Sequence, residues 1–190
     1  MNSSKSVGER PAEGERLSKR IMQLRDCSRR EAEQYIEAGF VRVDGVVVQE
    51  PQLGTAHAVA QAAPLLADAP GEAIVLYGDT PFITSDTLES MLAARAHHAV
   101  VVLGFHAANP GRYGRLLTQG NDLLAIREFK DATDEERLIT LCNSGVICAD
   151  AKTLFSLVAD VGNTNASGEY YLTDIVAMAH AEGLLVRTCQ

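Results

Sequence analysis

Tryptophan is absent from this 190-residue chain and aromatic residues make up only 5% of it, so aliphatic side chains must fill any core. The 46% hydrophobic content is enough for that. Cysteine is scarce. Cys27, Cys142, Cys148 and Cys189 form no CxxC pair and have no histidine at metal-ligand spacing, which argues against a zinc site or a disulfide scaffold. Free thiols in a reducing, cytoplasmic setting are the expectation. No apolar run approaches the roughly 20 residues a membrane helix needs, so no membrane partner is expected. Residues 1–15 are polar, contain no hydrophobic signal core and read as a disordered tail.

Basic charge is missing from most of the chain. Residues 1–50 hold nine Lys/Arg against nine Asp/Glu. Of the chain's 17 basic and 25 acidic residues, that leaves eight and sixteen for residues 51–190, which carry the whole net charge of -8. The acidic part is not expected to bind nucleic acid unaided, whereas the neutral, Arg-rich first part has charge to offer a phosphate backbone.

In the first part, Leu17, Ile21 and Leu24 stand at i, i+4 and i+7 and predict a short amphipathic helix. Ser28 followed by Glu31 is a capping box, and the helix it opens ends at Gly39. Val41 to Val43 and Val46 to Val48 flank Asp44-Gly45, a strong two-residue hairpin signal. The order is helix, helix, hairpin. Arg29 and Arg30 have a plain alternative reading as a solvated helix face paired with Glu33 and Glu37.

In the second part, Glu72 to Tyr77 is a continuous apolar run that reads as a buried parallel strand ending in Gly78-Asp79-Thr80-Pro81. A helix over about 85–96, capped by Ser85 or Asp86, leads to a second apolar strand, Ala99 to Phe105. That strand, helix, strand order predicts an α/β domain. Ligands of such sheets bind beyond the carboxyl ends of strands, which is where Asp79 falls. A carboxylate there suits Mg²⁺ bridging phosphates, although an aspartate in a turn is also common. Strands are further expected at Tyr113 to Leu117, Leu124 to Glu128 and Val146 to Ala149, in a second, more irregular layer. Helices are expected over 151–160 and about 168–182. His57 reads as a satisfied helix histidine and Met178 as core.

Two resemblances refine this reading. Arg16-Leu17-Ser18-Lys19, Cys27-Ser28-Arg29-Arg30-Glu31-Ala32 and Gly39-Phe40-Val41-Arg42-Val43-Asp44-Gly45 resemble the S4 domain of ribosomal protein S4 and bacterial pseudouridine synthases. For residues 16–51 this implies a small αα-hairpin plus β-hairpin that binds RNA through Arg16, Lys19, Ser28, Arg29, Arg30 and Arg42, mostly at phosphates. No uridine isomerisation is implied, because nothing resembles the catalytic domain that follows S4 in those enzymes.

Gln52 to Ala58, Tyr77 to Pro81, Tyr113-Gly114-Arg115, Glu128 to Ala132, Asn143-Ser144-Gly145 and Asn165 to Asp174 resemble the N-acetylglucosamine-1-phosphate uridyltransferases, in order and across nearly all of residues 52–187. The resemblance implies that Gln52, Gly54 and Thr55 contact uracil, and that Tyr77 and Gly78 line the nucleotide and sugar. It implies Mg²⁺ on Asp79 and N-acetylglucosamine on Gly114, Glu128 and Asn143. UTP or UDP-N-acetylglucosamine would be the ligand.

The chain departs from that family's pattern in its first part. No Gly-rich turn with its Arg and Lys follows a strand in residues 1–51, Arg112 replaces a usual Gly, and no distal Asn joins Asp79, so Mg²⁺ would bind weakly. No acetyltransferase β-helix is present, so no trimer is expected. The expectation is therefore an S4 module joined to an incomplete Rossmann-like nucleotidyltransferase domain over 52–190, a natural, engineered or recombined chimera with little or no catalysis. The second strand of the hairpin would cap the open sheet edge. The alternative is a residual uridyltransferase making UDP-N-acetylglucosamine from UTP and N-acetylglucosamine-1-phosphate with Mg²⁺, with Arg16, Lys19 or Arg20 recruited to the phosphates.

Overall fold

The computed structural model describes residues 16–80 and 82–190. The tail expected over residues 1–15 lies outside them. The chain divides into two compact units, Met1–Pro51 and Gln52–Gln190.

In the first unit, α1 (Leu17–Arg25) and α2 (Arg29–Glu37) pack around Ile21 and Ala32, the buried residues of the two helices. Ser28 caps α2 reciprocally: its hydroxyl accepts from the Glu31 amide, and the Glu31 carboxylate accepts from the Ser28 amide at 2.8 Å. The Ser28 hydroxyl also donates to the Glu31 carboxylate at 2.7 Å, and that bond, with the one from the Ser28 amide, holds the Glu31 carboxyl below its usual range. The helix closes at Gly39 (φ 72°), where the Gly39 amide donates to the Ile36 carbonyl and the Phe40 amide to that of Tyr35. β1 (Arg42–Val43) and β2 (Val46–Val47) pair across Asp44 and Gly45, both at positive φ, as a tight hairpin requires. Among the described residues β2 pairs with β1 alone, so it does not cap another sheet as expected.

The second unit is built on a six-stranded sheet flanked by helices. Its elements are α3 (Thr55–Ala60), α4 (Ala63–Leu66), β3 (Glu72–Val75), α5 (Ser85–Arg95), β4 (Val100–His106), β5 (Arg115–Gln119), β6 (Asp122–Arg127), α6 (Asp134–Arg137), β7 (Leu141–Asp150), α7 (Ala151–Ala159), α8 (Asp174–Ala181) and β8 (Val186–Cys189). The strand order is β3-β7-β4-β8-β6-β5, and β5 also pairs back to β7 through Arg115 and Cys142.

That last pairing decides the architecture. One flank of β7 meets β5 near Cys142 and β3 from Ile147 to Asp150, while the other runs along β4. Gly145, at φ 87°, and a register shift between Val102 and Gly104 bend the pair midway. Strands β7, β4, β8, β6 and β5 therefore close into a ring, and the expectation that this Rossmann-like domain is incomplete is overturned. The separate irregular layer is corrected too, because β5, β6 and β7 belong to the same sheet as β3 and β4.

Glu72 to Tyr77 does not form a buried parallel strand. β3 is an edge strand antiparallel to β7. β4 is also antiparallel to β7, so β3 and β4 run the same way with β7 between them. Direction was legible from the strand, helix, strand order, but the later strand slotted between the two was not. The parallel pair in the sheet is β4 with β8.

β4 is apolar throughout because both of its faces are buried. Val100 and Val102 join the core covered by α3, α7 and α8, whereas Val101 and Leu103 face Met91 of α5. Helix α5 is capped by Thr84 rather than Ser85 or Asp86, its hydroxyl accepting from the Thr87 amide. α8 starts at Asp174 rather than near residue 168, because residues 165–173 form a bonded loop at the candidate site.

Candidate active site

After β3 the chain turns at Tyr77 to Thr80. The Thr80 amide and hydroxyl both donate to the Tyr77 carbonyl, at 3.1 and 2.8 Å, leaving Asp79 exposed at the end of the turn. Two adjoining hollows share Thr55, Tyr77 and Asp79. One, of about 450 Å³, is walled by Ala58, Val59, Val75 and Gly78. The other, of about 400 Å³, reaches Gly114, Glu128 and Asn143. The first is mainly apolar and suits a planar ring; the second carries hydrogen-bonding groups and suits a polyhydroxyl ligand.

The polar wall is tightly specified. Gly114 leaves room for its neighbours: a Cβ there would stand 3.1 Å from Ile126, 3.4 Å from Glu128 Oε1 and 3.6 Å from Asn143. The Asn143 amide donates to the Gly114 carbonyl at 2.9 Å, and its side-chain oxygen accepts from the Gly145 amide at 3.0 Å, which leaves the side-chain NH₂ to turn toward a ligand. Thr173, almost fully buried, donates to Glu128 Oε1 at 3.0 Å. Burial pushes the Glu128 carboxyl above its usual range, opposed by the Thr173 bond and reinforced by Asp174 and Asp131. Burial likewise raises Asp174, with Asp131 adding to the rise and Arg127 opposing it. Tyr77 is raised by burial against a hydrogen bond with Thr55.

Residues 165–173 explain why the Gln52 to Thr55 segment has its sequence. The Tyr170 amide donates to the Leu53 carbonyl, the Ala56 amide to the Tyr170 carbonyl, and the Leu172 amide to Thr55 Oγ1, each at 2.9 Å. Gly54 sits at φ 127° with the Tyr170 backbone against it; a Cβ would lie 2.5 Å from that carbonyl oxygen. Thus Gly54 allows the two segments to close. Gly54 and Gln52 do not line either hollow, whereas Thr55, Tyr77, Gly78, Asp79, Gly114, Glu128 and Asn143 do. His57 is half-buried beside Gln61, whose side chain donates to the His57 carbonyl at 2.9 Å.

Sequence reasoning missed three contributors. Thr173 and Tyr171 lie in a motif whose Tyr-Leu-Thr gives no cue to which side chain points inward. Arg115 reads as a charged strand residue yet is buried. Its guanidinium donates to the carbonyls of Gly111, Tyr113 and Arg137 and lies over the Phe129 ring, fixing the loop before Gly114 against the segment after Glu128. An arginine directly after Tyr113-Gly114 and before the apolar pair Leu116-Leu117 was the available signal.

Among the described residues no cluster of three or more His, Cys, Asp or Glu can hold a metal alone. Asp79 still fits a hard divalent cation of the Mg²⁺ type, which takes one or two carboxylates and completes its shell with water and substrate phosphates. The four cysteines are free. Among the described residues no helix is long and apolar enough to cross a membrane.

Residues 17–145 match the MobA-like NTP transferase domain. The chain belongs to that family. Bifunctional protein GlmU of Cereibacter sphaeroides is 76% identical to this MobA-like chain over 139 residues, covering 73% of the chain, and that of Ruegeria pomeroyi is 61% identical over 141, covering 74%. In each case the chain spans 31% of the relative's length. The fold is that of a UDP-glucose pyrophosphorylase solved with UDP-glucose (TM-score 0.57, 16% identity, 74% of this chain and 55% of that one). An apo UDP-glucose pyrophosphorylase agrees at TM-score 0.58 and 15% identity, over 90% of this chain and 64% of that one.

These matches correct the assignment of residues 16–51 to an S4 module and the chimera built on it, since the family match starts at residue 17 and runs on into the second unit as far as residue 145. The RNA partner goes with it. Arg29 is paired with Glu33 at 2.7 Å, Arg42 donates to the Gly45 carbonyl of its own turn, and Ser28 is occupied in the cap. Arg16, Lys19 and Arg30 are exposed, and of the pairs in the plain alternative reading the structure forms Arg29 with Glu33. The MobA-like match and the identity to the GlmU proteins also overturn the reading of a truncated, largely inactive remnant.

Proposed function

We propose that this MobA-like domain transfers a uridylyl group from UTP to a sugar 1-phosphate, N-acetylglucosamine-1-phosphate being the acceptor that fits best. The observation that carries this reading is the meeting of Tyr77, Asp79, Gly114, Glu128 and Asn143 on one cleft, although they come from segments spread across the second unit. The apolar hollow beside Ala58 and Val59 takes the base. With Thr173 on Oε1, Glu128 keeps its other oxygen to accept from a sugar hydroxyl, and the Asn143 NH₂ donates to the acetamido oxygen. The name of the GlmU relatives and the UDP-glucose bound to a protein of the same fold support a nucleotide-sugar ligand.

In the reaction an oxygen of the sugar phosphate attacks the α-phosphorus of UTP in line. A new O–P bond forms, the bond to the bridging oxygen breaks, and its electron pair leaves with pyrophosphate. Asp79 would hold Mg²⁺, which neutralises phosphate charge when bound. The cleft residues contribute by fixing base and sugar so that the two phosphates meet at attack distance.

Titration with UDP-N-acetylglucosamine, UDP-glucose and UTP tests the reading. The acetamido sugar nucleotide is expected to bind more tightly than UDP-glucose, and Asn143→Ala is expected to remove the difference. Equal binding of both by the unmodified chain would contradict the assignment of the acceptor.

A further inference from the structure

The cleft is lined by three carboxylates, Asp79, Glu128 and Glu169, and among its described lining residues one side chain is cationic, Arg112. Both substrates of the proposed reaction are polyanions, so Arg112 supplies charge the rest of the wall lacks. Arg112 is exposed, and among the described residues its side chain has no hydrogen bond or ion pair. Among the described residues lining this region, the other lysine or arginine is Lys130, which is occupied, donating to Ser167 Oγ at 2.7 Å.

The backbone carrying Arg112 is held on both sides. The Arg115 guanidinium takes the Gly111 and Tyr113 carbonyls, and the Tyr113 ring stands edge-on to Phe105 at 4.9 Å. A fixed loop thus presents a free guanidinium at the cleft. Arg112 also borders the neighbouring hollow with Glu128, Glu169 and Tyr171, and is absent from the apolar hollow beside Ala58 and Val59. It therefore lies on the acceptor side.

We infer that Arg112 binds the phosphate group of the acceptor sugar 1-phosphate, an assignment that rests on the function proposed above. A guanidinium matches two phosphate oxygens with paired N–H donors, which both anchors the acceptor and turns its third oxygen toward the α-phosphorus. Arg112 thereby favours phosphorylated over free sugars at this wall of the cleft.

The test is calorimetric titration of the 190-residue chain, its Arg112→Ala and its Arg112→Lys with N-acetylglucosamine-1-phosphate, N-acetylglucosamine and UTP, after melting curves show both variants folded. The unmodified chain is expected to prefer the phosphorylated sugar. Arg112→Ala is expected to lose about tenfold or more in affinity for it, the value of a charge-assisted pair, while UTP binding stays within about twofold. Arg112→Lys is expected to fall between. Undiminished sugar-phosphate binding by Arg112→Ala, or a loss confined to UTP, overturns the assignment but leaves the function standing. If the unmodified chain binds neither UTP nor sugar phosphate, the functional reading itself fails, and the assignment with it.

Discussion

The ring of Tyr77 lies directly on Gly145, so closely that a Cβ at residue 145 would stand 2.5 Å from Tyr77 Cδ2, and Gly145 itself is held at φ 87°. The contact ties the turn after β3 to the bend in β7, and so joins the wall bearing Asp79 to the one bearing Asn143. Gly145→Ala must strain the backbone and displace the ring. A stability loss of about 1–3 kcal/mol is expected in urea melts. Sugar-nucleotide affinity should fall with it, whereas Gly120→Ala, at a positive-φ turn with open space around it, should spare the affinity.

Glu128 and Asp174 carry carboxyls raised by burial, so their ionised forms are disfavoured in the fold. A raised carboxyl contributes stability that is fully present below its ordinary range and is lost as pH rises through the elevated value. Glu128→Gln keeps an oxygen for Thr173 and removes that loss. Melting temperatures from pH 4 to pH 7.5 are expected to show the variant gaining on the unmodified chain as pH rises. A gap that does not change with pH would sink this account of Glu128.

Arg115 is a buried cation held by carbonyls and a ring rather than by a carboxylate. Arg115→Met fills much of the same space but leaves the Gly111, Tyr113 and Arg137 carbonyls without their donor. Denaturant unfolding is expected to show a loss of about 2–4 kcal/mol, in the range for breaking a buried polar network. Little change would mean that the loop is held by Tyr113 and Phe105 alone.

Thr173→Val keeps the shape of the side chain and deletes the hydrogen bond to Glu128. A cost of about 1 kcal/mol is expected from the lost hydrogen bond, since Thr173 is almost fully buried while Glu128 is half-buried at the cleft. Sugar-nucleotide affinity is expected to weaken as Glu128 loses its orientation, which the same titrations would show.

Elements with a local cause were legible in the sequence. The Ser28 and Glu31 capping box, the Gly39 stop and the Asp44-Gly45 turn each depend on neighbours a few residues apart. Most of the cleft was legible as well, since Tyr77, Asp79, Gly114, Glu128 and Asn143 sit in short motifs. What was lost is non-local. The insertion of β7 between β3 and β4, the closure of β5 onto β7, and the place of β8 beside β4 depend on pairings that no period-two pattern records. Residues 16–50 show the opposite failure, because a helix, helix, hairpin order with several arginines is too common locally to carry an RNA partner when Arg29 and Arg42 serve their own helix and turn.

The most direct test is pyrophosphate release by the 190-residue chain supplied with UTP, N-acetylglucosamine-1-phosphate and Mg²⁺, compared with Asp79→Ala. Nucleotidyl transfer at this cleft predicts pyrophosphate formed in step with UDP-N-acetylglucosamine, and a fall of about 100-fold or more in the variant, as expected when a metal ligand at the reacting phosphates is removed. No release by the unmodified chain, or an equal rate from Asp79→Ala, would contradict it.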